Sequence, residues 1–299
     1  MDDISKTFRE FDHIDPRLDE TGKTERLLSQ QLKGYKEEDP AEKQEKAIPL
    51  SVIRTMHTSA KTDLDSAIAD LCTGAIFFCM RSCEYSKVPR QQDKKIKLLC
   101  LRNLRFFQGS TLLQQDPDEL DNATLISITF EDQKNREKNQ TINLHKSKDN
   151  LLCPVRAWAK VVRRIRSYKG SSRDSPVNSF QLNDKPVRIT NANITQALRS
   201  TVDIMKDNYN LGFSSAEVGT HSIRLGGAMA MCLAKLDVYM VKIIGRWKSD
   251  AFMKYIRKQI QQFTSGISDK MVSMEHFTHV PNDESLQSEP TLKKGWWRE

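Results

Sequence analysis

The sequence predicts a mainly α fold with a small antiparallel β-sheet, an α+β architecture. Two observations carry this. Apolar residues recur at helical spacing in several well-separated segments, and two strand-like segments flank one polar turn. The longest apolar run, residues 74 to 80, is too short to cross a membrane.

Residues 1–48 are charge-rich and read as a polar arm with one short helix around Lys23 to Lys33. The linker YKEEDPAEKQEK breaks at Asp39-Pro40. Packed structure is expected from Pro49: PLSVIRTMHTSA starts a helix capped by Ser51, and SAIADLCTGAIFFCM continues as a buried one. LLCLRNLRFFQG (98–109) and TLISITFED (124–132) read as strands, the second alternating through Leu125, Ile128 and Phe130. QTINLHK (140–146) closes a hairpin over the basic turn QKNREKN. In PVRAWAKVVRRIRSYKG, Val155, Trp158, Val161, Val162 and Ile165 fall on one helical face, with Pro154 opening and Gly170 closing. The other face carries Arg156, Lys160, Arg163, Arg164 and Arg166. Residues 171–188 read as loop. Helices follow at 194–208, 219–235, 237–244 and 249–263, with caps at Thr190 or Asn193, Thr220, Asp237 and Ser249.

The net charge of +8 is unevenly placed: residues 1–48 carry −4, 280–299 carry −1, and 49–279 carry +13. A basic middle suits a polyanionic partner, because lysine and arginine that neutralise phosphates release condensed counterions. Six cysteines without a CxxC pair fit reduced buried thiols better than a disulfide framework or a zinc site. The N-terminal MDDISKTFREFD is acidic and polar, so neither a signal peptide nor a membrane partner is expected.

Four segments hold candidate chemistry. In FFCMRSCEY, Arg81 leaves an apolar helix end with Glu84 three residues on, a spacing at which one carboxylate holds part of the guanidinium fork. The hairpin turn offers Lys134, with Arg136 and Lys138 beyond it. GTHSIRLGGAMAM puts His221 and Arg224 on one helical face, and IIGRWKSDAFMKYIRKQI holds Trp247 and Tyr255. Singly, each has a plain structural reading: an ion pair, a solvated turn, a tight helix contact, a core aromatic.

As an ordered set, Arg81, Lys134, His221-x-x-Arg224, Trp247 and Tyr255 resemble the catalytic residues of the tyrosine recombinases, the phage integrase family. CMRSCEY, FEDQKN, LLCPVRAW, GTHSIRLGGAMAM and IGRWKSDAFMKYIR resemble most the recombinases of eukaryotic mobile elements, crypton-like and DIRS-like transposons. The resemblance covers roughly residues 49–270. It implies a catalytic domain over 49–279, a disordered tail over 280–299, and an arm that is the remnant of a core-binding domain. The arm's shortness suggests a truncated element product or a gene model lacking its first exons.

The activity implied is transesterification of duplex DNA without metal or cofactor. Tyr255 would form a 3′-phosphotyrosyl link, Arg81 and Arg224 would stabilise the phosphorane, and Lys134 would protonate the leaving 5′-oxygen. His221 would act as acid or base, Trp247 would donate to a phosphate oxygen, and Glu84 would orient Arg81. Lys138 competes with Lys134. Arg136, Lys138, Arg156, Lys160, Arg163, Arg164 and Arg166 would hold the DNA. The partners implied are double-stranded DNA and further copies of the chain, a synaptic tetramer, in a nucleus if the source is eukaryotic and in cytoplasm otherwise. The alternatives are a catalytically inactive DNA-binding protein derived from a mobile element and a type IB topoisomerase-like nicking-closing enzyme. One departure stands out: Trp247 precedes Tyr255 by eight residues, where many bacterial and phage members have nine.

Overall fold

The computed structural model describes residues 45–86, 98–132, 138–183 and 185–253, with the isolated positions 18, 21, 26, 28–31, 268 and 272. The chain divides into two compact units, Met1–Gln44 and Glu45–Glu299. In the second, helix α1 (Leu50–Ser59) buries Val52, Ile53 and Met56. Its cap position is Pro49 and no side chain caps it. Ser51, expected there, lies inside the helix, because proline's fixed φ already sets the chain's entry.

Helix α2 (Asp63–Phe77) opens with a capping box: Thr62 Oγ1 accepts from Asp65 N at 3.1 Å, and the Asp65 carboxylate accepts from Thr62 N at 3.0 Å. It is buried without a break from Ala67 to Ile76, since four other helices pack around it. Two polar residues are therefore sealed in. Thr73 donates its hydroxyl to Ala69 O at 2.8 Å and lies 2.7 Å from His57 Nε2; Asp70 faces Lys160 and Arg164 at 3.7 Å each. A short helix, α3 (Ser82–Tyr85), follows.

Strands β1 (Leu104–Gln108), β2 (Thr111–Leu113), β3 (Leu125–Asp132) and β4 (Lys138–His145) form an antiparallel sheet in the order β2-β1-β3-β4. The expected first strand is shorter than its sequence suggests, because Leu101–Asn103 turn as 3-10 helix and the Asn103 side chain accepts from Cys100 N. The expected alternation is also corrected. Ile126, Ile128 and Phe130 are buried, and Leu125, one residue out of step, points to the other face.

Helix α4 (Pro154–Arg166) buries Val155, Trp158, Val161, Val162 and Ile165, the face read from the sequence. It lies against α2 and the β3–β4 pair. The Trp158 ring sits where a Cβ on Gly74 would be, at 2.5 Å from Cε2, so glycine is what allows this contact. The stretch expected as loop contains a second hairpin, β5 (Ser179–Leu182) with β6 (Lys185–Arg188).

Helix α5 (Asn191–Met205) is entered through Thr190, boxed with Asn193. Helix α6 (Thr220–Leu233) follows, and α7 (Val238–Gly245) is capped by Asp237, which accepts from Tyr239 N. Beyond it Asp250–Phe252 make one 3-10 turn; the rest of the helix expected over 249–263 lies outside the described residues. All six cysteines are free thiols. Among the described residues no helix is long and apolar enough to cross a membrane.

Candidate active site

Two helix C-termini converge and close in the same way. At the end of α2, Cys79 adopts φ +43°, and Met80 N reaches back to Ala75 O at 2.9 Å. At the end of α7, Arg246 adopts φ +57°, and Trp247 N reaches back to Lys242 O at 3.0 Å. Both are six-to-one closures in which the left-handed residue is ordinarily glycine. A side chain there costs on the order of 1 kcal/mol of backbone strain. Gly245 is the last helical residue of α7, and the left-handed position belongs to Arg246. Glycine is required at 245 for another reason, since the Trp247 ring would lie 1.6 Å from a Cβ.

The carbonyls turned out by these closures are taken by arginines. Arg224, 3% exposed on α6, donates Nη1 to Cys79 O and Nη2 to Gly245 O, both at 2.6 Å, so it bridges the two helix ends. Arg246 donates Nη1 to Phe78 O at 3.1 Å. Arg81 Nη2 donates to Arg246 O at 3.4 Å.

At the centre lies Glu84, 1% exposed. Its Oε1 accepts from Arg81 Nη1 at 3.0 Å; its Oε2 accepts from Arg246 Nη2 at 2.6 Å and Arg81 N at 2.8 Å. Aromatic faces complete the cluster. Arg224 Cζ is 4.3 Å from the Trp247 ring centre and Arg246 Cζ is 3.6 Å from that of Phe130. Trp247 itself stacks on Phe252 at 4.9 Å.

Among the described residues, three guanidiniums and two helix C-termini, each worth about half a negative charge, surround one carboxylate. Burial and the neighbouring arginines push the Arg224 guanidinium down to about 9 and that of Arg246 below its ordinary value. Both stay protonated at neutral pH. Arg81, its side chain 20% exposed, is the most accessible of the three. Three guanidiniums held in fixed directions, one of them near solvent, are donors suited to receive an anion.

His221 is the second residue of α6, one turn before Arg224 on the same face, and part of its surface is exposed. The protein packed against the rest of the ring lowers its pKa by desolvation; Glu45 opposes this and Arg224 adds to it. Glu45 also caps the helix. Its Oε2 accepts from Ser222 N at 3.0 Å and Ser222 Oγ at 3.4 Å. Thr220, expected as the cap, is the first helical residue after Gly219.

The structure therefore brings together five of the expected residues: Arg81, Glu84, His221, Arg224 and Trp247. Lys134, Arg136 and Tyr255 lie outside the described residues. Lys138 opens β4, exposed, in register with Asp132. The polar face of α4 is occupied by contacts within the protein. Arg156 donates to Asp149 O, Arg163 donates to Pro117 O and pairs with Asp121, Lys160 and Arg164 face Asp70, and Arg166 donates to Gln115.

Sequence reasoning missed Arg246 and Glu45. Arg246 carries one signal: it is nine residues before Tyr255, where Trp247 is eight. Glu45 carries none, because it belongs to a polar linker whose path is set by tertiary structure.

Comparison with solved structures finds likenesses at low identity. The chain is similar to the XerA recombinase (13% identity, TM-score 0.43, covering 81% of this chain and 67% of that one). It is also similar to the Tn1549 transposon integrase in complex with transposon right end DNA (10%, 0.43, 80% and 68%) and to FLP recombinase in a Holliday junction complex (11%, 0.39, 94% and 55%). The chain thus spans about two thirds of the first two and about half of the third. No protein-family model and no curated protein matches the sequence.

Proposed function

We propose that the chain is a site-specific DNA recombinase or integrase that cuts and rejoins duplex DNA through a phosphotyrosine. The observation that supports it is the cluster just described: a carboxylate and three arginines at two converging helix ends, bordered by His221. A scissile phosphodiester carries one negative charge that grows as the phosphorus becomes five-coordinate, and fixed donors placed in advance stabilise that growth without reorganising. The order of motifs along the chain gives the remaining roles. The Tyr255 oxygen bonds to phosphorus while the bond from phosphorus to the 5′-oxygen breaks. The tyrosine proton leaves with His221 as acceptor, and Lys134, with Lys138 as its competitor, supplies one to the leaving oxygen. The 5′-hydroxyl of a partner strand then reverses the step. Assembly of further copies on DNA and the origin in a eukaryotic mobile element belong to the same proposal.

The test is a pool of duplexes with a randomised centre, nicked so that the freed 5′-fragment diffuses away and strands the intermediate. Wild-type protein gives a denaturation-resistant protein–DNA adduct and Tyr255→Phe gives none. Tight binding of the duplex with no adduct from wild type would sink the proposal in favour of a DNA-binding protein without turnover. Relaxation of any supercoiled plasmid, independent of site, would favour a nicking-closing enzyme.

A further inference from the structure

Arg246 has no part in the chemistry proposed so far, yet its side chain is fully buried. Its guanidinium is fully buried and bonded at 2.6 Å to Glu84 Oε2, the oxygen that also receives Arg81 N. It crosses to Phe78 O, just past the end of α2, and its Cζ lies 3.6 Å from the ring centre of Phe130 on β3. The Arg246 carbonyl receives Arg81 Nη2, and the adjacent Gly245 carbonyl receives Arg224 Nη2. One residue therefore touches α2, the strand leading to the basic hairpin, Glu84, and the atoms that orient the other two arginines. It does so from a left-handed backbone that glycine would fill without strain. Its Nε is buried with no hydrogen-bond partner among the described residues. The side chain's contacts must offset the strain of that backbone.

We infer that Arg246 is a positioning residue: by saturating one oxygen of Glu84 it fixes the carboxylate, and through it the guanidinium of Arg81 that faces the anion. The inference rests on the proposed function and deepens it. Buried as it is, Arg246 does not itself meet the phosphate. Its loss would let Glu84 turn toward Arg81 and take up donors that the phosphorane needs.

The experiment compares Arg246→Gly, which keeps and relaxes the left-handed backbone, with Arg246→Lys, which keeps the charge but loses the planar fork. Single-turnover adduct formation is measured on the nicked duplexes with a phosphodiester and with a methylphosphonate at the scissile position, alongside duplex affinity and far-UV circular dichroism. Arg246→Gly is expected to slow cleavage of the phosphodiester about 100-fold and Arg246→Lys about tenfold, each with affinity changed by less than about threefold. On the methylphosphonate, which has no charged non-bridging oxygen, the defect of each variant shrinks to a few-fold, because less is asked of Arg81.

A folded Arg246→Gly that cleaves the phosphodiester within about threefold of wild type overturns the inference. So does an equal loss on both substrates, which marks a merely structural role, and so does failure of both variants to fold. If wild type forms no adduct on either substrate, the proposed function itself fails and the inference falls with it.

Discussion

Gly227→Ala tests how the arginine cluster is held. Gly227 lies on α6 one turn after Arg224, and a Cβ there would come 2.1 Å from Ile76 O and 2.8 Å from Cys79 Sγ. The carbonyl belongs to the last full turn of α2 and cannot swing aside, so α6 must retreat by more than about 1 Å to reach normal contact in a close-packed interior. That retreat pulls Arg224 Nη1 off Cys79 O, now at 2.6 Å. Overpacking costs about 1–3 kcal/mol, and a clash with backbone belongs at the upper end. The lost hydrogen bond to a charged donor adds about 1.5 kcal/mol. Alanine's better helix propensity returns about 1 kcal/mol. The net expectation is a loss of about 3.5 kcal/mol, read by urea unfolding followed through the fluorescence of buried Trp158 and by circular dichroism. Propensity alone predicts the opposite sign. A Gly227→Ala protein as stable as wild type, or more so, would refute the claim that this contact sets the distance between α6 and α2.

Further expectations concern titrating groups. Burial pushes Asp70 up to about 6, with Lys160 and Arg164 opposing. The folded protein therefore favours the protonated acid, and the contribution to stability is present below the ordinary carboxyl pKa of 3.8 and lost as pH rises through about 6. Asp70→Asn should flatten the stability profile between those values and raise stability at neutral pH by on the order of 1–2 kcal/mol; an unchanged profile contradicts the assignment. His57 is lowered to about 4 by burial, with Lys160 adding, so its contribution has the opposite sense: present above 6.5 and lost as pH falls through about 4. His57→Gln should remove that acid-side loss in the same melts. Glu45→Gln removes the charged cap of α6 and should cost about 1 kcal/mol. By NMR the His221 ring should then titrate lower still, since Glu45 is the group holding its pKa up; a rise would refute the proximity.

What the sequence disclosed and what it hid follow a physical pattern. The apolar face of α4 and the β3–β4 hairpin were legible because long periodic runs leave little choice of face. The β5–β6 hairpin was not, because SFQL and KPVR are four residues each and Pro186 reads as a loop. Arg81 and Glu84 were legible as a pair, their contact being local. Arg246 was not. An arginine between a glycine and a tryptophan looks like a solvated turn until two helix ends far apart in the chain meet and bury it against Glu84. Glu45 was hidden for the same reason, its partner Ser222 being 177 residues away.

The central proposal is that Tyr255 forms a covalent bond to DNA whose scissile phosphate is held by Arg81 and Arg224. Its most direct test is to trap the adduct on the nicked duplexes, digest protein and DNA, and locate the nucleotide-bearing peptide by mass spectrometry. The peptide is expected to contain Tyr255 and to carry a 3′-linked nucleotide. A nucleotide on any other residue, or an adduct that survives Tyr255→Phe, would contradict it.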